Sequence, residues 1–223
     1  MIKYFQKLKA KKGFTLVELI VVIAIIGVLA AILIPTMLGY VTQSKVTSAN
    51  STAASIKNEI DGYLTTCDTN GYGMQKSTSK LATFEFVIGS ATAGTWTVSV
   101  TGDANFNTAG GHTWVASAVA AATSKADSNA AAVLAKDLQD LFPEIKTGYI
   151  VAKLVGGKCI GVAYQNEVAS AADVQSDLAG DTGLVAWPTG YGWDGETLGI
   201  SDGHIVGTAP VLQLGGSTGD LSS

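Results

Sequence analysis

The distribution of apolar and polar residues sets the start of the chain apart from the rest. From Leu19 to Ile34 the residues read LIVVIAIIGVLAAILI without one charged side chain, and the apolar character extends back to Phe14 and forward to Leu38. A helix rises about 1.5 Å per residue, so a run of this length is long enough to cross a bilayer. We therefore predict a membrane-spanning helix over residues 14–38.

The next segment is amphipathic. Its apolar residues recur at steps of three or four and form one stripe: Val46, Ala49, Ala53, Ile56, Ile60 and Leu64. This spacing predicts that residues 39–66 continue the same helix with one buried face. From Phe14 to Leu64 the helix would be about 75 Å long. We expect Cys67 and the Asn-Gly-Tyr-Gly run that follows to end it.

The rest of the chain, residues 67–223, is predicted to be an α+β domain with an antiparallel sheet packed on the amphipathic helix. Runs rich in β-branched and aromatic residues predict a hairpin of strands 83–88 and 96–101, and a second hairpin of strands 149–155 and 158–165 around Gly156 and Gly157.

A second helix is predicted between these hairpins. Ser128 would cap it, Leu134, Leu138, Leu141 and Phe142 would share its buried face, and Pro143 would stop it. Residues 114–122 fit a helix or a strand, and we favour the helix.

The region after Asp181 is dense in Gly, Asp and Thr and is predicted to be an enlarged, loop-rich surface. Short strands are expected within it at residues 184–187, 205–207 and 211–214, and the last nine residues are expected to be weakly held.

Charge is polarised along the chain. All 14 basic residues are lysines, and five of them lie in the first dozen residues: Lys3, Lys7, Lys9, Lys11 and Lys12. Lysines flanking an apolar helix favour an N-terminus in the cytoplasm and an exported C-terminal part. Without these five lysines the formal charge falls from -4 to -9. A domain this acidic lacks the basic surface that binds nucleic acid, and no such partner is expected.

The hypothesis of a simple membrane anchor does not explain Glu18. A carboxylate in a spanning helix costs several kcal/mol unless it has a partner or lies at the interface. A secretory signal is also disfavoured, because the apolar run is too long and continues into a helical pattern instead of a small-residue cleavage site.

The residues around Glu18 carry a resemblance to a known family. Residues 11–20 read KKGFTLVELI and resemble the processing motif of type IV prepilins and pseudopilins, a likeness that extends to about Lys57. It implies a pilin-like fold and a cytoplasmic leader, residues 1–13, removed by a membrane aspartyl peptidase between Gly13 and Phe14. It also implies N-methylation of Phe14 and pairing of Glu18 with the Phe14 amine of a neighbouring subunit.

Gly27 and Pro35 are poor helix formers inside the apolar run, and Pro35 lacks a backbone N–H. We expect a bend or local unwinding between them. The resemblance implies that this stretch melts on assembly, while the simpler reading is a kink in a membrane helix.

Cys67 and Cys159 both lie on the side of the apolar helix that is predicted to be exported. An oxidising compartment favours a disulfide between them, and two free or buried thiols are the alternative. In the resembled family the usual disulfide closes a C-terminal loop, so this spacing departs from the family pattern.

Catalysis is not predicted, because no nucleophile, base and orienting acid can be assembled. The only histidines, His112 and His204, lie in Gly-rich segments and are expected to be solvated turn residues. Trp187, Tyr191 and Trp193 alternate with Gly and Pro and suit contact with a carbohydrate or a surface. Their packing onto the sheet is the more common outcome for such rings.

No cofactor or metal is predicted. Four acids share the loop-rich region and could supply oxygen ligands to calcium, although simple surface solvation is favoured: Asp181, Asp194, Glu196 and Asp202.

These features predict a non-enzymatic structural subunit of a type IV pilus, used for adhesion, motility or uptake. The precursor would lie in the cytoplasmic or inner membrane, meet the prepilin peptidase and assembly machinery, and then form a homo-oligomeric extracellular filament. One alternative is a pseudopilin of a type II secretion or DNA-uptake apparatus. The other is a membrane-anchored extracytoplasmic binding protein that does not polymerise.

Overall fold

The structure is a computed structural model, and it forms two compact units, residues 1–44 and residues 45–223, called here the first unit and the second unit. The described residues are 14–77, 81–89, 96–102, 106–114, 128–165, 184–185, 192–193, 200–201 and 204–209.

Helix α1, Leu16–Thr69, confirms the predicted long helix. In the first unit its apolar side chains are uncovered, with exposed fractions from 50% at Ile20 to 84% at Phe14. None of the described residues of the first unit is buried. Among the described helices, α1 alone is long and apolar enough to cross a membrane. A continuous apolar surface of this size marks a contact with lipid or protein.

In the second unit α1 buries the predicted stripe. Its buried residues are Val46, Ala49, Ala53, Ile56, Ile60, Leu64 and Cys67. Six of these positions were predicted from their spacing, and Cys67 adds one further turn to the stripe. The stripe is buried because it joins the same hydrophobic core as the strands.

The sheet is antiparallel and has six strands in the order β2-β1-β3-β4-β8-β7. The strands in chain order are β1 Leu81–Ile88, β2 Trp96–Gly102, β3 Gly148–Val155, β4 Lys158–Gln165, β5 Leu184–Val185, β6 Gly192–Trp193, β7 Ile200–Ser201 and β8 His204–Ala209, with β5 and β6 forming a separate pair. Both predicted hairpins are confirmed by the pairing of β1 with β2 and of β3 with β4. Gly156 and Gly157 have φ values of 56° and 88°, as the tight turn between β3 and β4 requires.

Helix α2, Ala130–Leu141, confirms the predicted second helix, with two corrections. Asn129 caps it instead of Ser128, because the Asn129 side chain accepts a hydrogen bond from the Ala131 N–H at 3.1 Å. Leu141 is 53% exposed, whereas Leu134 and Leu138 are fully buried. Leu141 lies in the last turn of the helix, where the core no longer covers it.

Both helices contribute to one hydrophobic core with a single face of the sheet. From α1 the core includes Ile56 and Ile60, from α2 Leu134 and Leu138, and from the central strands Phe84, Phe86, Ile150 and Leu154. The opposite face of the central strands carries polar contacts, where Lys153 Nζ donates to Thr83 Oγ1 at 2.9 Å and Ser99 Oγ donates to Glu85 Oε2 at 3.4 Å. That face also buries Tyr149 and Val151, so β3 is buried along most of its length.

Two side chains of α1 also accept hydrogen bonds from backbone N–H groups of strands β4 and β8. Asn50 Oδ1 accepts a hydrogen bond from the Thr208 N–H at 2.8 Å, and Asp61 Oδ1 accepts one from the Cys159 N–H at 2.7 Å. These contacts satisfy strand N–H groups that would otherwise be buried without a partner.

In the C-terminal part, the strand predicted at 205–207 is confirmed and is longer than expected. It forms β8, which lies inside the sheet between β4 and β7 and buries Val206, Thr208 and Ala209. The predicted short strands 184–187 and 205–207 correspond to β5 and β8. Residues 115–122, residues 211–214 and the last nine residues lie outside the described residues, so the predictions made for them stay predictions.

Candidate functional site at the start of the first helix

The polar residues at the beginning of α1 form a closed local network. Glu18 Oε2 accepts hydrogen bonds from the Thr15 N–H and from Thr15 Oγ1, both at 2.8 Å. In return, Thr15 Oγ1 accepts a hydrogen bond from the Glu18 N–H at 3.2 Å. This reciprocal arrangement is a capping box, which satisfies N–H groups that a helix leaves unpaired at its first turn.

The capping box gives the two oxygens of Glu18 different surroundings. Both Thr15 donors bind Oε2, and no described residue donates to Oε1. The carboxylate is exposed, as is Phe14 beside it. The predicted assembly residues Phe14 and Glu18 are thus both exposed in the first unit, and their assembly role stays a prediction.

Sequence reasoning missed Thr15. The signal was present, because Thr15 and Glu18 form the T-x-x-E pattern of a capping box directly before an apolar run. The carboxylate was considered only for its cost in lipid, and its helix-capping role was overlooked.

The predicted bend positions are both helical. α1 continues through Gly27 and Pro35, so the local unwinding that we expected is absent from this subunit. Thr36 Oγ1 donates to the Leu33 carbonyl at 2.9 Å, which gives one carbonyl next to the proline a second partner. The bend itself, and any melting on assembly, stay predictions.

The predicted disulfide is not formed, since Cys67 and Cys159 are free, buried thiols. The hydrogen bond from the Cys159 N–H holds Cys159 beside Asp61. The two thiols have different neighbours: Asp61 and Lys57 lie near Cys159, and Tyr63 and Tyr72 lie near Cys67.

We expect both thiols to resist alkylation in the folded protein. Burial raises the pKa of Cys67 to about 11 and that of Cys159 to about 12, so the reactive thiolate is scarce near neutral pH. Iodoacetamide at pH 8 should leave the detergent-solubilised chain unmodified and add two groups after unfolding without reductant, as measured by intact mass. Thr66→Cys, at an exposed position of α1, is the control that should react while folded. Adducts that appear only after reduction would reveal a disulfide.

His112 differs from the predicted solvated turn residue, whereas the exposure of His204 stays a prediction. His112 is half-buried and stacks on Tyr72, with ring centroids 3.9 Å apart. His204 begins strand β8. An aromatic group next to His112 was not anticipated: Trp114 stacks on Phe106 at 4.1 Å, and its Nε1 donates to the Tyr72 carbonyl at 2.9 Å. These residues close the end of the core next to the loop that follows α1.

The remaining candidate residues fall mostly outside the described part of the chain. Trp187 and Tyr191 are outside it, and Trp193 lies in β6, paired with Leu184. The proposed carbohydrate or surface contact therefore stays a prediction. The four acids considered for calcium are also outside: Asp181, Asp194, Glu196 and Asp202. Among the described residues, no three His, Cys, Asp or Glu side chains form a group that could hold a metal ion.

Comparisons with known proteins match the N-terminal region. Residues 8–34 match the family described as the prokaryotic N-terminal methylation motif. The chain is 42% identical over 73 residues to the type IV major alpha-pilin of Moraxella bovis, which covers 33% of this chain and 46% of that protein. It is 52% identical over 57 residues to a fimbrial protein of Pseudomonas aeruginosa, covering 26% and 37%. With the type IV major fimbrial protein FimA of Dichelobacter nodosus it shares 44% identity over 54 residues, covering 24% and 35%.

These likenesses are confined to the start of the chain. The chain spans less than half the length of each of these relatives. No solved structure matches it. The fold nevertheless has the pilin-like layout, with a long N-terminal helix whose second half packs on an antiparallel sheet. The N-terminal region of this chain therefore carries the methylation motif and is similar to the N-terminal region of type IV pilins and fimbrial proteins.

Proposed function

We propose that the chain is a structural subunit of a type IV pilus, which leaves the membrane and joins a filament through the exposed apolar part of α1. The observation that carries this proposal is the uncovered apolar surface of the first unit, on which even the least exposed large side chains are half exposed. Each square ångström of such surface is worth about 25 cal/mol when it is removed from water. The surface therefore needs lipid before assembly and neighbouring helices after it.

Glu18 favours the filament over the membrane as the final location. A carboxylate within the hydrocarbon of a bilayer is costly unless it has a partner or reaches the interface. Removal of residues 1–13 between Gly13 and Phe14 would create an ammonium group at Phe14. In a filament that ammonium group lies within an apolar core, where pairing with Glu18 of a neighbour neutralises two charges that are costly alone.

The second unit supplies the exported body. Its core holds the amphipathic half of α1 against the sheet, so the exported surface does not depend on the apolar half for its folding. With the leader removed the formal charge is -9, which favours solubility of the exported body while the apolar half of α1 stays in lipid. In this proposal the protein performs no catalysis, and processing and extraction are carried out by the peptidase and the assembly machinery.

The direct test is the mass and N-terminal sequence of the protein purified from cells. We expect a mature chain that starts at Phe14 and carries one added methyl group, because the peptidase would cut after Gly13. Gly13→Leu, which places a bulky side chain next to the scissile bond, should leave the precursor uncut. A mature protein that keeps its lysine leader, or one cut beyond the apolar run, would contradict the proposal.

The alternative functions differ in what forms at the cell surface. A pseudopilin shares the processing and the helix but builds only a short fibre, so electron microscopy of surface filaments distinguishes the two. The names of the relatives, which are fimbrial proteins, favour the long filament. An anchored binding protein would show neither processing at Phe14 nor filaments.

A further inference from the structure

We propose that a groove in the second unit binds the headgroup of a phospholipid that carries a phosphate and a primary ammonium group, as phosphatidylethanolamine does. This inference rests on the proposed function, because it requires the subunit to reside in a membrane before assembly. It gives the exported body a lipid contact of its own, in addition to the lipid around the apolar half of α1.

The groove is formed by residues of α1, β4, β8 and the segment that follows α2. Its volume is about 320 Å³, which is at the small end of the range for ligand pockets and suits a small polar group. Buried Ala49 and Ile145 give it an apolar floor, and its polar lining includes Lys45, Ser48, Glu144 and Tyr164.

Two opposite charges in the groove have no partner among the described residues. Lys45 and Glu144 are both exposed, and neither takes part in a described hydrogen bond or ion pair, with each other or with a third residue. Lys45 therefore offers a free ammonium group to a phosphate, and Glu144 offers a free carboxylate to an amine. A headgroup with one charge of each sign complements both.

Tyr164 adds a rigid hydrogen-bonding group to the same groove. Tyr164 is 5% exposed and packs in the hydrophobic core, while no described residue forms a hydrogen bond with its hydroxyl. Burial, with a smaller contribution from the nearby Glu144 carboxylate, raises the pKa of Tyr164 to about 12. The hydroxyl is therefore protonated at neutral pH and can donate to a phosphate oxygen. Because the ring is already fixed, binding costs little side-chain entropy.

The place of Lys45 in the chain identifies a membrane lipid as the source of this headgroup. From Leu19 to Leu38 no residue is charged, and a helix of this length spans about 30 Å, the thickness of the hydrocarbon core. Lys45 follows seven residues later in the same helix, about 10 Å further along, which is the outer edge of the headgroup layer. Tyr40 lies between them and is 77% exposed, and tyrosine is enriched at the membrane interface. Lys45 is therefore within reach of lipid phosphates.

The chemistry of the groove also distinguishes among phospholipids. Phosphatidylethanolamine has an ammonium group with three N–H donors, as lysine does, and these donors suit the Glu144 carboxylate. Phosphatidylcholine has a quaternary ammonium group without an N–H, and phosphatidylglycerol has no positive charge. The groove should therefore prefer phosphatidylethanolamine to both.

Native mass spectrometry of the full chain in non-ionic detergent, titrated with each of these three lipids in turn, measures the affinity. We expect one tightly held phosphatidylethanolamine per chain, with an affinity about tenfold higher than that of phosphatidylcholine, the size expected for one hydrogen bond to a charged group. Glu144→Gln should bind these two lipids alike, and Lys45→Ala should weaken both about tenfold. Both variants change exposed side chains without described partners, so they should fold normally. Lys146→Ala and Glu59→Gln remove the same charges outside the groove and should bind like the natural chain.

Four results would overturn the inference. Equal affinities of the natural chain for phosphatidylethanolamine and phosphatidylcholine would show that the groove does not recognise the headgroup, and so would a Glu144→Gln variant that keeps the preference. Soluble phosphoethanolamine that binds as tightly as the lipid would identify a free small molecule as the ligand. A dimer that replaces the lipid complex and is lost in Lys45→Ala would identify a second copy of the chain as the occupant. Chains that start at Phe14 and form filaments, but show no lipid preference, leave the proposed function intact, so the two failures are distinguishable.

Discussion

Gly207→Ala is expected to lower the free energy of unfolding of the second unit by about 3 kcal/mol, the upper range for overpacking a core. Gly207 lies in β8 beside Tyr164, and a Cβ atom there would overlap the backbone of Ala49 in α1. The missing side chain lets the strand lie directly against the helix, where the Thr208 N–H reaches Asn50 Oδ1. Thermal unfolding of the full chain in detergent, followed by circular dichroism, measures the effect. The midpoint should fall by roughly 5 to 12 °C.

Gly62→Ala is the matched control for this substitution. Gly62 lies on the exposed side of α1, and a Cβ atom there would meet nothing within 4 Å. Alanine in a helix is favoured over glycine by about 0.5 to 1 kcal/mol, so this variant should be slightly more stable than the natural chain. Equal midpoints for Gly207→Ala and the natural chain would contradict the close approach of β8 to α1.

Glu18→Leu should reduce surface filaments at least a hundredfold while the amount of subunit in the membrane stays the same. The substitution leaves the Phe14 ammonium group of each neighbour without its counter-charge in an apolar core, and breaking such a pair costs about 3 to 5 kcal/mol. Each 1.4 kcal/mol corresponds to about a factor of ten in an equilibrium. Quantitative immunoblots of sheared filaments and of membranes measure the two pools separately.

Two further variants assign the loss to charge. Glu18→Gln keeps the size and one oxygen of the side chain but removes the charge, so it should also fail to assemble. Glu18→Asp keeps the charge on a shorter side chain and should retain part of the filaments. Filaments as abundant in Glu18→Leu as in the natural strain would refute the role of this acid and, with it, the proposed function.

The regular elements were predictable wherever a periodic pattern spanned several turns or strands. The stripe from Val46 to Leu64 had a spacing that suits only a helix with one buried face, and it is buried as predicted. The Gly156 and Gly157 turn was equally clear, since only glycine adopts the required positive φ at both positions without strain. Strand β8 was not foreseen at its full extent. Its short apolar run is isolated among Gly, Asp and Thr, and its place in the sheet depends on pairing with β4, which lies far away in the chain.

The candidate site was predictable in part. Phe14 and Glu18 could be singled out because a charged group within an apolar helix is costly and requires a reason. The capping role of Thr15 was signalled by the T-x-x-E pattern but was overlooked, because Glu18 was considered only for its charge. The cysteine prediction was wrong for a different reason. Composition and compartment favour a bond, but whether two cysteines meet depends on how the helix packs on the strand, and in the structure both thiols are free.

The sequence by itself determined the long helix, its division into an apolar half and a one-sided half, the two hairpins and the processing motif. Each of these depends on neighbours along the chain, whose spacing and hydrophobicity act locally. Only the tertiary structure decided that β8 enters the sheet, that Gly207 lies against Ala49 and that both thiols are free. Those features depend on contacts between distant residues or on side-chain direction, which packing and hydrogen bonding select after the local elements have formed.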